Sequence, residues 1–285
     1  MENIVNRLQR RIFKNNYTID RTVAKKNRVN VEFWNVRDNV GDQLSIPIVE
    51  WMLQKKGIDI NKPVSKTKHL LALGSIIGSG RFDATVWGSG INTAIAAYWT
   101  GRCRNSATLD IRAVRGPLTK EVLEGFGYDC SKCVYGDPGI LMPYVFPCDT
   151  SNKEYDISII CHFKTVEYMK SKYPQYNFIS VETKDYKGFI NDICLSRKVI
   201  SSSLHGIILS EAYGIPVVFY NEAGLMDREI VKYYDWYYST GRRSVLCATN
   251  IEEAINAIPM ELPNLDSMRS ELMRVFPYGL WEING

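Results

Sequence analysis

The chain has 285 residues, of which 45% are hydrophobic and 23% charged, and its formal net charge is +4. This composition is typical of a globular protein of one or two domains with a sizeable core. The charge is too small to indicate nucleic acid as a partner, although it suits an anionic substrate. No apolar run approaches the roughly 20 residues of a membrane span, and the first residues lack the apolar segment of a signal peptide, so we expect a cytoplasmic protein.

Strand and helix patterns alternate along the first half of the chain. Short apolar runs that end in glycine-bearing turns predict strands, and longer periodic segments predict helices. The predicted strands are 30–34, 69–73, 85–87 and 109–114, and the predicted helices are 44–56 and 118–126. Gly116-Pro117 precedes the second helix, with the proline where a first helical turn accepts it. This alternation predicts a mainly parallel sheet.

The segment 142–147 contains two prolines and has no periodic pattern, which predicts a linker. The alternation restarts beyond it, with predicted strands at 155–161, 177–181 and 198–201. We therefore expect an α/β chain with two domains, residues 1–142 and 143–285, and a cleft between them.

Residues 196–219 carry the strongest functional signal. The hydroxyl-rich turn Ser201-Ser202-Ser203 follows a short strand, and His205 opens an apolar-periodic helix that leads into another strand through Gly214-Ile215-Pro216. The N-terminus of such a helix presents unpaired N–H groups and the positive end of the helix dipole to an anion. A histidine there can bind phosphate and deliver a proton. The alternative interpretation is a capping serine with an incidental histidine.

A second polar segment, Asn39-Val40-Gly41-Asp42, lies between the first predicted strand and the helix that starts near Leu44. Gly41 permits a tight turn. Asp42 could accept a proton from a substrate hydroxyl or orient it, and alternatively it could only cap the helix. The glycine-serine turns 74–80 and 87–92 allow a ligand to approach the backbone, but they match neither a dinucleotide-binding motif nor a P-loop.

Basic and aromatic residues supply further candidates. Side chains alternate along a strand, so Arg112 and Arg115 are expected on opposite faces, with Arg115 better placed for an anion. Either could instead form a surface salt bridge. The segment 232–243 is rich in aromatic residues and ends in Arg242-Arg243. Aromatic faces stack on sugars and arginines bind phosphate or carboxylate, whereas the alternative for this segment is a packed helix with a basic end.

Two other features are assigned structural roles. The turn 135–139 is expected to be part of a hinge before the linker. Seven cysteines, an odd number, favour reduced thiols over a disulfide framework. Cys130 and Cys133 form a Cys-x-x-Cys pair, but a zinc site would need a second pair, so we expect no metal and place the pair in a surface turn.

Seven short motifs follow one another in a particular order between residues 30 and 243. They are Asn39-Val40-Gly41-Asp42, Gly74-Ser75-Ile76-Ile77, Trp87-Gly88-Ser89-Gly90, Arg115-Gly116-Pro117-Leu118-Thr119, Tyr135-Gly136-Asp137-Pro138-Gly139, Ser203-Leu204-His205-Gly206 through Gly214-Ile215-Pro216, and Asp235-Trp236-Tyr237-Tyr238-Ser239-Thr240-Gly241. In this order the chain resembles the polysaccharide pyruvyltransferases. The resemblance implies two Rossmann-like domains in a GT-B-like arrangement. It also implies that phosphoenolpyruvate is the donor and that a saccharide is the acceptor, which we expect to be lipid-linked.

The resemblance also implies that His205 and Arg115 bind the donor. It makes the 143–285 domain the donor side of the cleft and the 1–142 domain the acceptor side. With the residue patterns above, the expected catalytic residues are His205 as general acid and Asp42 as acceptor-side base. The remaining expected contacts are, for the donor, Arg115, Ser202, Ser203, Leu204, Arg242 and Arg243, and, for the acceptor, Asn39, Ser89, Asn92, Tyr237 and Tyr238. No cofactor is expected.

One departure from the family pattern concerns Ser203, where many members place an arginine that clamps the donor. Either another cation, such as Arg242 or Arg243, replaces it, or donor binding is rearranged. Two other functions stay open: a nucleotide-sugar glycosyltransferase of the same fold type, which would need a ribose-binding carboxylate such as Glu222, and a non-catalytic saccharide-binding protein.

The first residues have the pattern of a basic amphipathic helix. Its apolar face holds Ile4, Val5, Leu8, Ile12 and Phe13, and its basic residues are Arg7, Arg10, Arg11 and Lys14. Such a helix can lie in a membrane interface and is attracted to anionic lipid, which would hold the enzyme near a lipid-linked acceptor. The alternative is a helix that packs against the first domain, or a frayed terminus.

Overall fold

The computed structural model describes residues 16–79, 82–91, 107–162, 164–221 and 229–282. Its first half forms a parallel sheet of five strands in the spatial order β1-β2-β3-β4-β5. These strands are β1 Val29–Glu32, β2 Lys68–Leu71, β3 Ala84–Trp87, β4 Leu109–Val114 and β5 Val134–Tyr135. The predicted α/β class and parallel sheet are confirmed for this half, and β5 is a strand that the sequence pattern did not indicate.

The second half forms another parallel sheet of five strands, in the order β10-β9-β8-β6-β7. The strands are β6 Tyr155–Ile160, β7 Asn177–Phe178, β8 Ser196–Ser201, β9 Val217–Tyr220 and β10 Cys247–Ala248. From β6 the chain goes to β7 on one side and then returns to β8 on the other. The strand order therefore reverses between β6 and β8, and ligands of open α/β sheets bind outside the carboxyl ends of the strands at such a switch point.

Helices connect the strands of both sheets. In chain order they are α1 Val40–Gln43, α2 Ser45–Gln54, α3 Pro117–Gly125, α4 Met142–Val145, α5 Val166–Lys172, α6 Tyr186–Cys194, α7 Leu204–Ala212, α8 Ile230–Ser239, α9 Ile251–Asn256 and α10 Asp266–Arg274, with 3-10 turns at Pro138–Leu141 and Tyr278–Trp281. All nine residues of α7 are buried. This helix is therefore a central element of the core rather than an amphipathic surface helix.

The segment predicted as a linker forms the single helical turn α4, and its Met142 is fully buried. Met142 belongs to a hydrophobic cluster that also contains Leu44 from the first half and Ile207 from the second. The apolar side chains around the prolines explain this outcome, because burying them stabilises a helical turn against the core. The two sheets thus share one hydrophobic cluster, while the boundary at residue 142 and the GT-B-like arrangement stay predictions.

The C-terminal segment returns to the first sheet. Three hydrogen bonds anchor it. Trp87 Nε1 donates to the Leu272 carbonyl (2.9 Å), the Tyr278 hydroxyl donates to the Met52 carbonyl (3.0 Å), and Trp281 Nε1 donates to the Ile60 carbonyl (3.1 Å). Trp87 and Trp281 are fully buried, so their indole N–H groups need these partners. The sequence pattern did not indicate this return.

Two expectations concern membranes. Among the described residues, no helix has the length and apolar character needed to cross a bilayer. The basic amphipathic pattern of residues 4–14 lies outside the described residues, so its membrane contact stays a prediction.

Candidate functional site

Polar turns gather at the carboxyl edge of the first sheet. Asp42 lies in the connection after β1, Gly74 after β2, Ser89 after β3, Arg115 directly after β4 and Asp137 after β5. Because the strands are parallel, these five turns lie at one edge of the sheet. The candidate site is built on this edge.

His205 comes from the second sheet, in the first turn of α7. Ser203 has an extended backbone (φ −101°) and its hydroxyl accepts a hydrogen bond from the Gly206 N–H at 3.4 Å, so it is the N-cap of the helix. The preceding Ser201 hydroxyl accepts the Ser203 N–H at 3.0 Å. These bonds hold the serine turn and leave His205, 8% exposed, at the helix start.

Two glycines bring the elements of the site into close contact. A Cβ atom on Gly41 would lie 2.0 Å from Nδ1 of His205, so the backbone of α1 is in contact with the imidazole. A Cβ atom on Gly74 would lie 2.7 Å from an oxygen of Asp42, and Gly74 has a φ of +87°, which favours glycine. The absence of side chains at these positions therefore lets His205 pack against Gly41 and Asp42 pack against Gly74.

Asp137 approaches the imidazole from another side. Its Oδ1 accepts the Gly139 N–H at 2.9 Å, and its Oδ2 lies 3.7 Å from His205 Nε2. A carboxylate at this distance stabilises positive charge on the ring. The sequence pattern predicts a hinge at the 135–139 turn and does not indicate that Asp137 belongs to the site. The position of this turn at the end of a parallel strand is the signal that could have identified it.

Buried polar atoms without a partner concentrate here. Among the described residues, four buried side-chain polar atoms have no hydrogen-bond partner, and three of them are Asp137 Oδ2, Ser202 Oγ and His205 Nε2. The fourth is His69 Nε2, whose ring binds Glu32 on the first sheet. Buried polar groups are nearly always hydrogen-bonded, so three such atoms around one helix N-terminus mark a place for a polar ligand.

Asp42 has a perturbed environment. Burial raises the pKa of its carboxyl group above the ordinary value of 3.8, and the positive charges of His205 and Lys232 oppose this shift without cancelling it. A raised pKa brings a carboxylate closer to the strength that a general base needs at neutral pH. Asp42 thus lies close to His205, and its role as a base stays a prediction.

Arg115 is fully buried and makes three hydrogen bonds with protein groups. Its guanidinium donates to Asp235 Oδ2 (3.1 Å), to Ser75 Oγ (2.7 Å) and to the Ile91 carbonyl (2.8 Å). Asp235, on α8, also accepts the Leu118 and Thr119 N–H groups at the start of α3. The predicted contact of Arg115 with the donor stays a prediction, and Asp235 is a partner that the sequence analysis missed.

Arg112, by contrast, forms an exposed salt bridge with Asp110 at 2.9 Å. The other predicted donor cations also have defined surroundings. Arg242 forms two hydrogen bonds with the Glu211 carboxylate, and its guanidinium lies 4.2 Å from the centre of the Tyr237 ring. Arg243 is exposed. Leu204 is buried in the first turn of α7.

The predicted acceptor residues are distributed differently. Asn39 caps α1 by accepting the Gly41 N–H at 3.0 Å, and the buried Ser89 hydroxyl donates to the Gly74 carbonyl at 2.8 Å. Tyr237 is buried in the core, whereas Tyr238 is partly exposed and contacts Tyr234 edge-on. Asn92 lies outside the described residues. The structure therefore brings Asn39 and Ser89 to the turns of the site, while the acceptor contacts stay predictions.

The Cys130–Cys133 pair lies in a turn that is only partly exposed. The tip of the 130–133 turn is exposed, but Cys130 itself is buried, and burial raises the pKa of its thiol to about 12. In the described ranges, no group of three histidine, cysteine, aspartate or glutamate side chains could hold a metal ion.

The substitution Gly41→Ala tests the close packing around His205. The new methyl group would displace the imidazole, and we expect any activity that depends on His205 to fall about 10²-fold, since misplacing a reacting group by about 1 Å can have this effect. Gly125→Ala is the matched control, because no atom lies within 4 Å of its added Cβ and its activity should equal that of the unmodified protein. Equal activity of both variants would contradict the role of this contact.

The described fold and site define an α/β protein whose polar turns meet at the carboxyl ends of two parallel sheets. The model of the polysaccharide pyruvyl transferase family matches residues 21–223, and the chain belongs to this family. This confirms the family expected from the order of the motifs, and it indicates a transferase of the pyruvyl class.

Two uncharacterised proteins are also similar to this chain. One, from Acanthamoeba polyphaga mimivirus, is 28% identical over 211 residues, which cover 70% of this chain and 69% of the relative. The other, from Klebsiella pneumoniae, has a crystal structure that aligns with a TM-score of 0.44 and 14% identity over 87% of this chain and 98% of that chain.

Proposed function

We propose that the protein transfers pyruvate from phosphoenolpyruvate to two hydroxyls of a hexose in a surface-polysaccharide precursor, which is lipid-linked, and forms a cyclic ketal. Family membership supports the reaction class. The observation that carries the proposal is the group of unpartnered polar atoms on Asp137, Ser202 and His205 at the start of α7. A helix N-terminus of this kind suits a donor with a phosphate of about −1.5 to −2 charges and a carboxylate.

The proposed reaction needs an acid on the donor side and a base on the acceptor side. His205, as the general acid, gives a proton to the methylene carbon of phosphoenolpyruvate and makes the adjacent carbon cationic. One sugar hydroxyl adds to that carbon, the carbon–oxygen bond to phosphate breaks, and the second hydroxyl closes the ring. Of the two hydroxyl protons, one restores His205 and the other leaves with the phosphate.

Asp42 and Asp137 have different parts in this proposal. Asp42, with its raised pKa, accepts one of these two hydroxyl protons from the acceptor and passes it to the departing phosphate, which restores the carboxylate. Asp137, 3.7 Å from the imidazole, stabilises the protonated ring before transfer. The reaction requires no cofactor and no metal, since the donor carries its own leaving group.

Phosphate release from phosphoenolpyruvate tests the proposal. We expect release that depends on a lipid-linked oligosaccharide, with a product heavier than the acceptor by one pyruvyl ketal in mass spectrometry. A panel of such acceptors would identify the sugar, and nucleotide sugars serve as the competing donors. Turnover of a nucleotide sugar would support the glycosyltransferase alternative, and binding of saccharide without turnover of either donor would support the non-catalytic one.

Asp42→Asn is expected to reduce pyruvyl transfer by about 10²-fold and to stabilise the fold at neutral pH. A carboxyl group whose pKa is raised on folding contributes to stability below its unfolded pKa, near 3.8, and this contribution is lost as the pH rises through the raised value. The amide has no charge to desolvate. The free energy of unfolding of the variant should therefore exceed that of the unmodified protein at pH 7.

The control for this prediction is Asp192→Asn, since burial also raises the pKa of Asp192. It should change stability in the same direction and leave pyruvyl transfer unaffected. Denaturant unfolding at pH 7 and below pH 3.8 measures the first effect, and phosphate release measures the second. Unreduced transfer by Asp42→Asn would exclude Asp42 as the base.

A further inference from the structure

The first turn of α8 packs against the N-terminus of α7. The Tyr233 hydroxyl donates to the Ser202 carbonyl at 2.6 Å, and the Tyr233 ring stacks on Phe219 with centroids 4.2 Å apart. Tyr233 is fully buried, so this contact holds α8 against the serine turn. The residue before it, Lys232, lies in the same first turn of α8.

Lys232 is partly buried and has two charged neighbours. Its ammonium group forms an ion pair with Glu229, one turn earlier, and lies 5.2 Å from the centre of the Tyr233 ring. Its side chain is 18% exposed, and its charge acts on the carboxyl of Asp42. A cation that is paired with Glu229 therefore also acts on Asp42, and it neighbours the tyrosine that holds the serine turn.

The arginines near the site are held differently from this lysine. Arg115 and Arg242 are each paired with a carboxylate that is itself buried, Asp235 and Glu211 respectively. Separating a buried pair leaves an uncompensated charge and is strongly unfavourable. Glu229 is 44% exposed, so its carboxylate keeps access to water when Lys232 turns to another anion.

We propose that Lys232 binds the phosphate group of the donor, and that Glu229 is an internal anion that occupies the lysine until the donor arrives. This inference rests on the proposed function for the identity of the donor. Two unpartnered atoms, Ser202 Oγ and His205 Nε2, complete the surroundings of the phosphate at the start of α7. A phosphate oxygen on a lysine forms a charge-assisted hydrogen bond, which is stronger than a neutral one.

Opposite effects of two neighbouring substitutions test the proposal. The dissociation constants of phosphoenolpyruvate and of inorganic phosphate would be measured by calorimetry. Lys232→Met should weaken the binding of both by about 10- to 100-fold, the range for hydrogen bonds to charged groups, and Lys232→Arg should restore part of the affinity. Glu229→Gln should instead tighten binding by about 2- to 5-fold, because the competing anion is removed.

Lys170→Met is the matched control, since Lys170 also forms an ion pair with a glutamate three residues earlier, Glu167, on an exposed part of α5. Its affinities should equal those of the unmodified protein. Unchanged phosphate affinity in Lys232→Met would overturn the assignment of Lys232, and unchanged or weaker affinity in Glu229→Gln would overturn that of Glu229. If the unmodified protein binds inorganic phosphate through Lys232 but not phosphoenolpyruvate, the proposed function fails while the phosphate site stands.

Discussion

Replacing His205 with alanine is expected to lower the rate of pyruvyl transfer by about 10²- to 10⁴-fold, the usual contribution of a general acid. The imidazole contacts Gly41 on one side and faces Asp137 Oδ2 at 3.7 Å on the other, and its Nε2 has no hydrogen-bond partner in the described part of the chain. Loss of the ring therefore removes the proton donor but breaks no hydrogen bond of Nε2. The fold should persist, as circular dichroism and thermal unfolding would check.

His205→Gln separates proton transfer from simple occupancy of the site. Glutamine keeps a polar side chain of similar volume but cannot carry the proton, so its rate should be as low as that of the alanine variant. The affinity for phosphoenolpyruvate should change much less than the rate. His69→Gln is the control, because His69 is also a buried histidine but pairs with Glu32. Near-normal transfer by either His205 variant would remove this residue from the mechanism.

The largest loss of stability is expected from Asp235→Ala, at about 3–5 kcal/mol. Asp235 is fully buried and pairs with the equally buried Arg115, and its carboxylate also accepts the N–H groups of Leu118 and Thr119 and the Thr119 hydroxyl. Its removal leaves the Arg115 charge without a counterion and the start of α3 without its acceptor. The free energy of unfolding in denaturant measures the effect.

Asp110→Ala is the matched control, because it breaks the salt bridge between Asp110 and Arg112. Both of these side chains are about half exposed. This pair should contribute only about 0–1 kcal/mol. If Asp235→Ala costs no more than the control, the buried network does not stabilise the fold.

Arg115→Met then separates the two roles considered for the arginine. A structural role predicts lower stability with unchanged affinity of the folded protein for phosphoenolpyruvate, whereas the donor contact expected from the family resemblance predicts weaker binding. The affinity should be measured well below the unfolding transition, where the variant is folded. The expected result from the bonds to Asp235, Ser75 and Ile91 is a loss of stability that exceeds any change in affinity.

Much of the fold and part of the candidate site could be predicted from the sequence, because the relevant signals are local. Alternating strand and helix patterns indicated parallel α/β structure, and the serine turn before His205 indicated a capped helix. Gly41 and Asp42 could be placed at the start of a helix for the same reason. These features depend on periodicity, capping and backbone freedom within a few residues, so neighbouring residues are enough to indicate them.

The partners of these residues were decided only by the tertiary structure. Asp235 is 120 positions from Arg115 and Asp137 is in a different motif from His205, so no local pattern pairs them. The aromatic segment expected to contact sugar instead buries Tyr237 in the core, and its Tyr233 hydroxyl donates to the Ser202 carbonyl of the serine turn. Such pairings follow from the packing of elements from both halves of the chain around one hydrophobic cluster. Burial then determines which charges are neutralised by a protein partner and which remain available to a ligand.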